Sequence, residues 1–194
     1  PFGSLSPHIQ TPREIAMPDS RMMNAASAGN DGWLSRRSLN FLGFLVCACG
    51  LGYAYYAQHV QGFEPCPLCI FQRLALMAVG SVFLAAAIHD PRGWGAKAYG
   101  VLIDLTATVG AVIAARHVWL QHLPPEEAPR CGPNLDYMLQ TFPLGETLRE
   151  VLTGSGECAK VDWSLLGLSM PTWNLLLFLS LGAVGLLANW RLRR

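Results

Sequence analysis

Charge is what this chain has least of. Only 14% of its 194 residues are Asp, Glu, Lys or Arg, against roughly 25% in soluble domains. With 52% hydrophobic residues and a mean hydropathy of +0.29, that scarcity excludes an ordinary soluble domain. Cysteine is also sparse: six residues are too few for a disulfide scaffold of this length. The N-terminus lacks the pattern of a signal peptide. Residues 1–35 are polar, rich in Pro, Ser, Asn and Ala, and are expected to form a mostly disordered cytoplasmic tail. The competing reading of this stretch is a short amphipathic surface segment. Its opening at Pro1 rather than Met suggests trimming or a scar. Internal repeats and mid-membrane breaks are missing, which weakens any reading as a transporter. No nucleic-acid partner is expected.

Four apolar stretches are present, each near the roughly 20 residues a bilayer core requires. They run over about 39–58, 69–88, 98–119 and 169–189. Backbone groups in lipid must be paired within the element, so all four are expected to be helices. The fold class that follows is an all-α membrane protein: a four-transmembrane-helix bundle spanning 36–194. Arg36 and Arg37 precede the first span, Arg92 and Lys97 lie between the second and third, and Arg191, Arg193 and Arg194 follow the fourth. The loop at 59–68 has no Lys or Arg and carries Glu64. The loop at 120–168 has only Arg130, Arg149 and Lys160 against seven acids. The positive-inside rule then places both termini in the cytoplasm and both of these loops outside, in the periplasm of a bacterium. Within the longer loop, apolar residues recur at helical spacing from Leu135 to Leu152, interrupted by Pro143 and Gly145. Short interfacial helices fit that pattern, and a small packed cap is the alternative.

The chemistry begins at Cys66-Pro67-Leu68-Cys69, where a loop enters the second span. A Cys-x-x-Cys pair is a compact two-electron redox unit. Cys131 and Cys158 lie in the long loop, on the same side. Four cysteines allow three pairings, and the close pair Cys66/Cys69 leaves Cys131/Cys158 as the second bridge. A zinc site would want a second Cys-x-x-Cys or a Cys/His pair at tight spacing, and no metal is expected. Purely structural disulfides remain the plainer reading, although so small a closed loop constrains little of the unfolded chain. Arg73, a turn inside the second span, is expensive in lipid and so a functional candidate, unless it snorkels to the headgroups. It shares a helix face with Cys69, four residues earlier. The guanidinium and the helix N-terminus would both favour a thiolate there. His117 stands near the outer end of the third span with Arg116 beside it. It is a candidate to hydrogen-bond a carbonyl of a bound ring, or simply an interfacial histidine. Cys47 and Cys49, inside the first span, read as small apolar residues buried in the bundle. Asp104 in the third span is assigned no catalytic role.

The run Cys66-Pro67-Leu68-Cys69-Ile70-Phe71-Gln72-Arg73 resembles the signature of the DsbB family, the bacterial disulfide bond formation proteins. So do Ser155-Gly156-Glu157-Cys158-Ala159, Trp163, Leu166-Gly167-Leu168 and Met170-Pro171-Thr172-Trp173. The resemblance covers about 38–190. It implies a thiol:quinone oxidoreductase of the inner membrane, using ubiquinone or menaquinone. Its partner would be a DsbA-like periplasmic thioredoxin-fold protein. That partner would attack the Cys131–Cys158 bridge at Cys131; Cys158 would attack Cys66 and free Cys69 as a thiolate against the quinone. Arg73 and His117 would be the quinone-binding residues. Many family members have an acid just before the arginine, where this chain has Gln72. Loss of that carboxylate is expected to leave Arg73 less neutralised, with an equal or stronger pull on the Cys69 thiolate.

Three other functions compete. A paralogue dedicated to one substrate oxidase would share every motif. A relative of vitamin K epoxide reductase would carry its Cys-x-x-Cys late in the chain. A small membrane transporter with structural disulfides should survive Cys66→Ser or Cys69→Ser.

Overall fold

The computed structural model describes residues 35–124, 126, 135–154, 156–159 and 164–191. The expected N-terminal tail, except Ser35, lies outside the described residues, as does Cys131. Helices dominate. Among the described residues, four are long and apolar enough to cross a membrane: α1 (Arg36–His59), α2 (Pro67–His89), α3 (Trp94–Gln121) and, after the loop region, α6 (Met170–Arg191). Between α3 and α6 lie two short helices, α4 (Leu135–Thr141) and α5 (Leu144–Thr153). A 3-10 turn (Gly156–Ala159) and a two-stranded hairpin, β1 (Ser164–Leu165) and β2 (Leu168–Ser169), follow. The all-α membrane bundle with helices in its long loop is therefore the observed architecture.

Local sequence sets the helix ends. Ser35 caps α1, its side chain accepting from the Ser38 amide at 3.1 Å. Cys66 caps α2 with its sulfur, and Pro67 takes the first helical position, where a missing N–H costs nothing. At the far end of α2, Asp90 adopts a left-handed conformation (φ 39°) and pairs with Arg36 at 3.3 Å. The hairpin turns through Leu166 (φ 55°) and Gly167 (φ 79°), both left-handed, as a two-residue turn between antiparallel strands requires.

Helix packing relies on small residues meeting rings, as in membrane bundles generally. A Cβ on Gly110 of α3 would stand 2.4 Å from the Phe178 ring of α6. The α3–α6 contact is the most extensive in the bundle. The core consists of Val79, Phe83, Ile103, Phe178 and their neighbours. A reciprocal amide pair ties α1 to α6: Asn40 Nδ2 donates to Asn189 Oδ1 at 3.2 Å, and Asn189 Nδ2 donates back at 3.0 Å. Large apolar side chains such as Leu42, Leu105, Val112 and Leu179 point outward, where lipid is their natural partner.

One expectation fails here. Cys47 is buried against Gly80, but Cys49 is exposed on the outer face of α1. Two residues along a helix turn through about 200°, so the two thiols cannot both face inward. Asp104 faces α6, its Oδ1 3.1 Å from where a Gly182 Cβ would stand.

The short helices dock on one end of the bundle. Thr147 Oγ1 donates to the Met138 carbonyl at 3.3 Å, joining α5 to α4. Arg116 of α3 donates to the Thr153 carbonyl at 3.0 Å. Gly154, left-handed at φ 92°, follows α5, and a Cβ there would reach within 2.4 Å of Leu120. Conformation and space both demand glycine at that position. The 3-10 turn carrying Cys158 then lies against α3.

Candidate active site

The N-terminus of α2 brings two sulfurs together. Cys66 and Cys69 are thiols with Sγ atoms 3.1 Å apart, Cys66 donating to Cys69. The Cys69 amide in turn donates to Cys66 Sγ at 3.4 Å. Helical spacing dictates this: a cap residue and the residue three positions on face each other across the first turn. Cys158 is 1% exposed and packs with Cys66, Leu68, Leu120, Met138 and Val151. Its hydrogen bond to Cys66 is the main reason the Cys66 thiol is pushed well above the ordinary thiol range. The bond to Cys69 and burial act in the same direction. Cys66 is thus flanked by two potential exchange partners.

His117 approaches from α3. Its Nε2 stands 3.8 Å from Cys66 Sγ, and its ring is 2% exposed. Nδ1 on the other side meets Gln72 Nε2 at 3.0 Å, and Gln72 Oε1 accepts from Asn174 Nδ2 of α6 at 2.7 Å. Three helices are joined by this one chain of polar groups. The Cys66, Cys69 and His117 ligand atoms lie within 4.8 Å of one another. The Cys/His proximity that a metal reading wanted is therefore created in space, although the sequence separates these residues.

Arg73 belongs to a different system. Its guanidinium donates to Gln58 Oε1 and, at 3.1 Å, to the Ala54 carbonyl, both of α1. It also lies over the Tyr55 ring, 5.4 Å from the centroid. Successive helical residues point about 100° apart. Gln72 turns inward to His117 while Arg73 turns toward α1, where its partners are uncharged.

All four long helices border a cavity of about 400 Å³ beside these groups. Cys66, Cys69, Arg73 and His117 line it, with Tyr53, Trp173 and Pro171 supplying apolar wall. Glu64 and Gln121 stand at its polar side. Its size and mixed lining suit a flat ring bearing two carbonyls. Of the six residues singled out from the sequence, four share this wall, Cys158 touches Cys66, and Cys131 lies outside the described residues.

Gln58 and Asn174 were not singled out from the sequence, and Gln72 was singled out only for its place beside Arg73. A signal existed: each is an amide in or at the end of an apolar run, where an unpaired polar group is costly.

Residues 36–188 match the family model described as "Disulfide bond formation protein DsbB". Proteins named "Disulfide bond formation protein B" are close in sequence. That of Methylococcus capsulatus is 57% identical over 160 residues, covering 82% of this chain and 98% of the relative. That of Nitrosococcus oceani is 52% identical over 161 residues, covering 83% and 94%. That of Hahella chejuensis is 49% identical over 152 residues, covering 78% and 92%.

Proposed function

The chain belongs to the DsbB family of disulfide bond formation proteins, and we propose that it relays electrons from a periplasmic dithiol oxidase to a membrane quinone. It is a multi-pass membrane oxidoreductase that forms disulfides. The proposed partner is a DsbA-like thioredoxin-fold protein. The proposed setting is the bacterial inner membrane, with both termini cytoplasmic and the Cys66 end of the bundle facing the periplasm.

The observation that carries this reading is the position of Cys66, hydrogen-bonded to both Cys69 and Cys158 at the edge of the cavity. In the proposed cycle a partner thiolate attacks Cys131 of a Cys131–Cys158 disulfide and frees the Cys158 thiolate. Cys158 then attacks Cys66 of a Cys66–Cys69 disulfide and frees the Cys69 thiolate. The second partner thiol releases the oxidised partner from Cys131, and Cys131 reclaims Cys158. Cys66 and Cys69 are left reduced, and they close again to a disulfide with loss of two electrons and two protons. The cavity would hold the acceptor of both, a quinone such as ubiquinone or menaquinone. Arg73 and His117 are the residues suited to hold its carbonyl oxygens. Arg73 is preorganised by Gln58 and Ala54 to meet negative charge. Tyr53 and Trp173 keep the wall apolar and limit water.

The test is anaerobic mixing of the purified protein with a reduced DsbA-type partner and a soluble quinone analogue, following quinone absorbance. Turnover that disappears in both Cys69→Ser and Cys131→Ser supports the two-pair relay. A folded protein with intact disulfides that reduces no quinone overturns it.

A further inference from the structure

We propose that Gln72 and Asn174 fix the ring proton of neutral His117 on Nε2, making the imidazole an N–H donor to the Cys66 and Cys69 sulfurs. The argument follows from how an amide is built. Gln72 has one accepting end and one donating end. Its Oε1 is taken by Asn174 Nδ2 at 2.7 Å. The NH2 end is therefore the one that meets His117 Nδ1 at 3.0 Å. An NH2 group has only hydrogens to offer, so Nδ1 must accept. A neutral imidazole that accepts at Nδ1 carries its hydrogen on Nε2. Nε2 faces Cys66 Sγ at 3.8 Å and belongs to the same tight cluster as Cys69 Sγ. Gln72 and His117 are each 2% exposed, so water does not substitute for these partners.

The same polarity disfavours a metal. A ligating histidine usually donates its second N–H to a carboxylate or carbonyl. Here the second nitrogen meets a donor instead. Ligation through Nε2 would strip the ring of its only proton, although Cys66, Cys69 and His117 satisfy the distances. The charged or titratable groups near the ring are Cys66 and Cys69 of the α2 N-terminus, and Glu64 and Arg73 on the shared cavity wall. Arg116, next on α3, is directed to Thr153. None of them offers an acceptor to Nδ1 among the described contacts. Gln72 and Asn174 are thus positioning residues that act through His117. A glutamate at 72 would reverse the device: its carboxylate accepts from Asn174 and demands a hydrogen on Nδ1.

The assignment deepens the relay reading and rests on it only for its catalytic consequence. The tautomer itself is read with neither partner nor quinone, so the two can fail separately. The experiment is nitrogen-15 NMR of histidine-labelled full-length protein in nanodiscs, reduced and at neutral pH, with His117→Gln identifying the resonances. The expected result is a pyridine-type Nδ1 and a protonated Nε2. Gln72→Glu should move the hydrogen to Nδ1, either as the other tautomer or as the imidazolium. Asn174→Leu, which frees the Gln72 amide to rotate, should give a mixture. A wild-type spectrum showing Nδ1–H overturns the proposal without any variant. So does a folded Gln72→Glu protein whose His117 signals do not shift.

Discussion

Gln72 and Arg73 are adjacent in the chain yet serve opposite sides of the cavity: Gln72 holds His117 of α3, and Arg73 is held by Gln58 and Ala54 of α1. One helical step thus divides two tasks, orienting the histidine and presenting a cation. The two can be perturbed separately.

Arg73→Gln should weaken quinone use without loss of fold. A charge-assisted contact contributes about 1.5–3 kcal/mol, which is roughly a 10- to 150-fold rise in KM for a quinone analogue. Steady-state kinetics at varied quinone, with the partner saturating, checks it. An unchanged KM would remove Arg73 from the binding role.

Cys66→Ser and Cys69→Ser should each reduce partner-dependent turnover to background while leaving helical circular dichroism intact. Either variant keeping measurable quinone-coupled turnover would return the Cys-x-x-Cys pair to a structural role.

Cys66 should be the slow thiol. Its shift is upward, so at neutral pH it remains protonated, and thiolate appears only as pH rises well past the ordinary thiol range. In the reduced protein, alkylation of Cys66 should be slow at pH 7 and should accelerate with pH. Cys158→Ala removes the largest cause and should bring that acceleration to lower pH. Mass spectrometry of quenched samples gives both curves.

Gly110→Ala should destabilise the bundle, because its Cβ would meet the Phe178 ring at 2.4 Å. Overpacking of this kind costs about 1–3 kcal/mol. Phe178→Leu should recover part of the loss, as seen in thermal unfolding in detergent. A neutral Gly110→Ala would mean that the two helices separate easily.

Asn40→Leu should cost less. Interhelical hydrogen bonds in membranes contribute about 0.6 kcal/mol on average, at most about 1.7. Asn189 would retain its bond to the Gly185 carbonyl at 2.8 Å. A larger loss would show that the amide pair sets the α1–α6 docking.

The four long helices were legible because hydropathy and length alone define a span. Cys66, Cys69 and Arg73 were legible because a motif places them within two turns of one helix. Which way each helix faces was not. In a soluble helix the polar side marks the outside, but here lipid-facing Leu105 is as apolar as buried Ile103. Periodicity therefore could not show that Cys49 points out. Nor could it show that Gln72 points to His117, or that Asn174 crosses 102 residues of sequence to reach Gln72. Amides inside apolar runs were the surviving clue, since each requires a partner somewhere in the bundle.

Arg36–Asp90 at one end, and Arg73 with Gln58 and Ala54 at the other, brace α1 and α2 as a pair. Those contacts use only residues 36–90, so this hairpin has its fastenings as soon as its two helices leave the ribosome. Asn174 belongs to the last helix to be made. Until α6 arrives, the Gln72 amide has no Asn174 to orient it, and the cavity lacks its Trp173 wall. The sulfur pair is therefore in place early, whereas its histidine is aligned only in the finished chain.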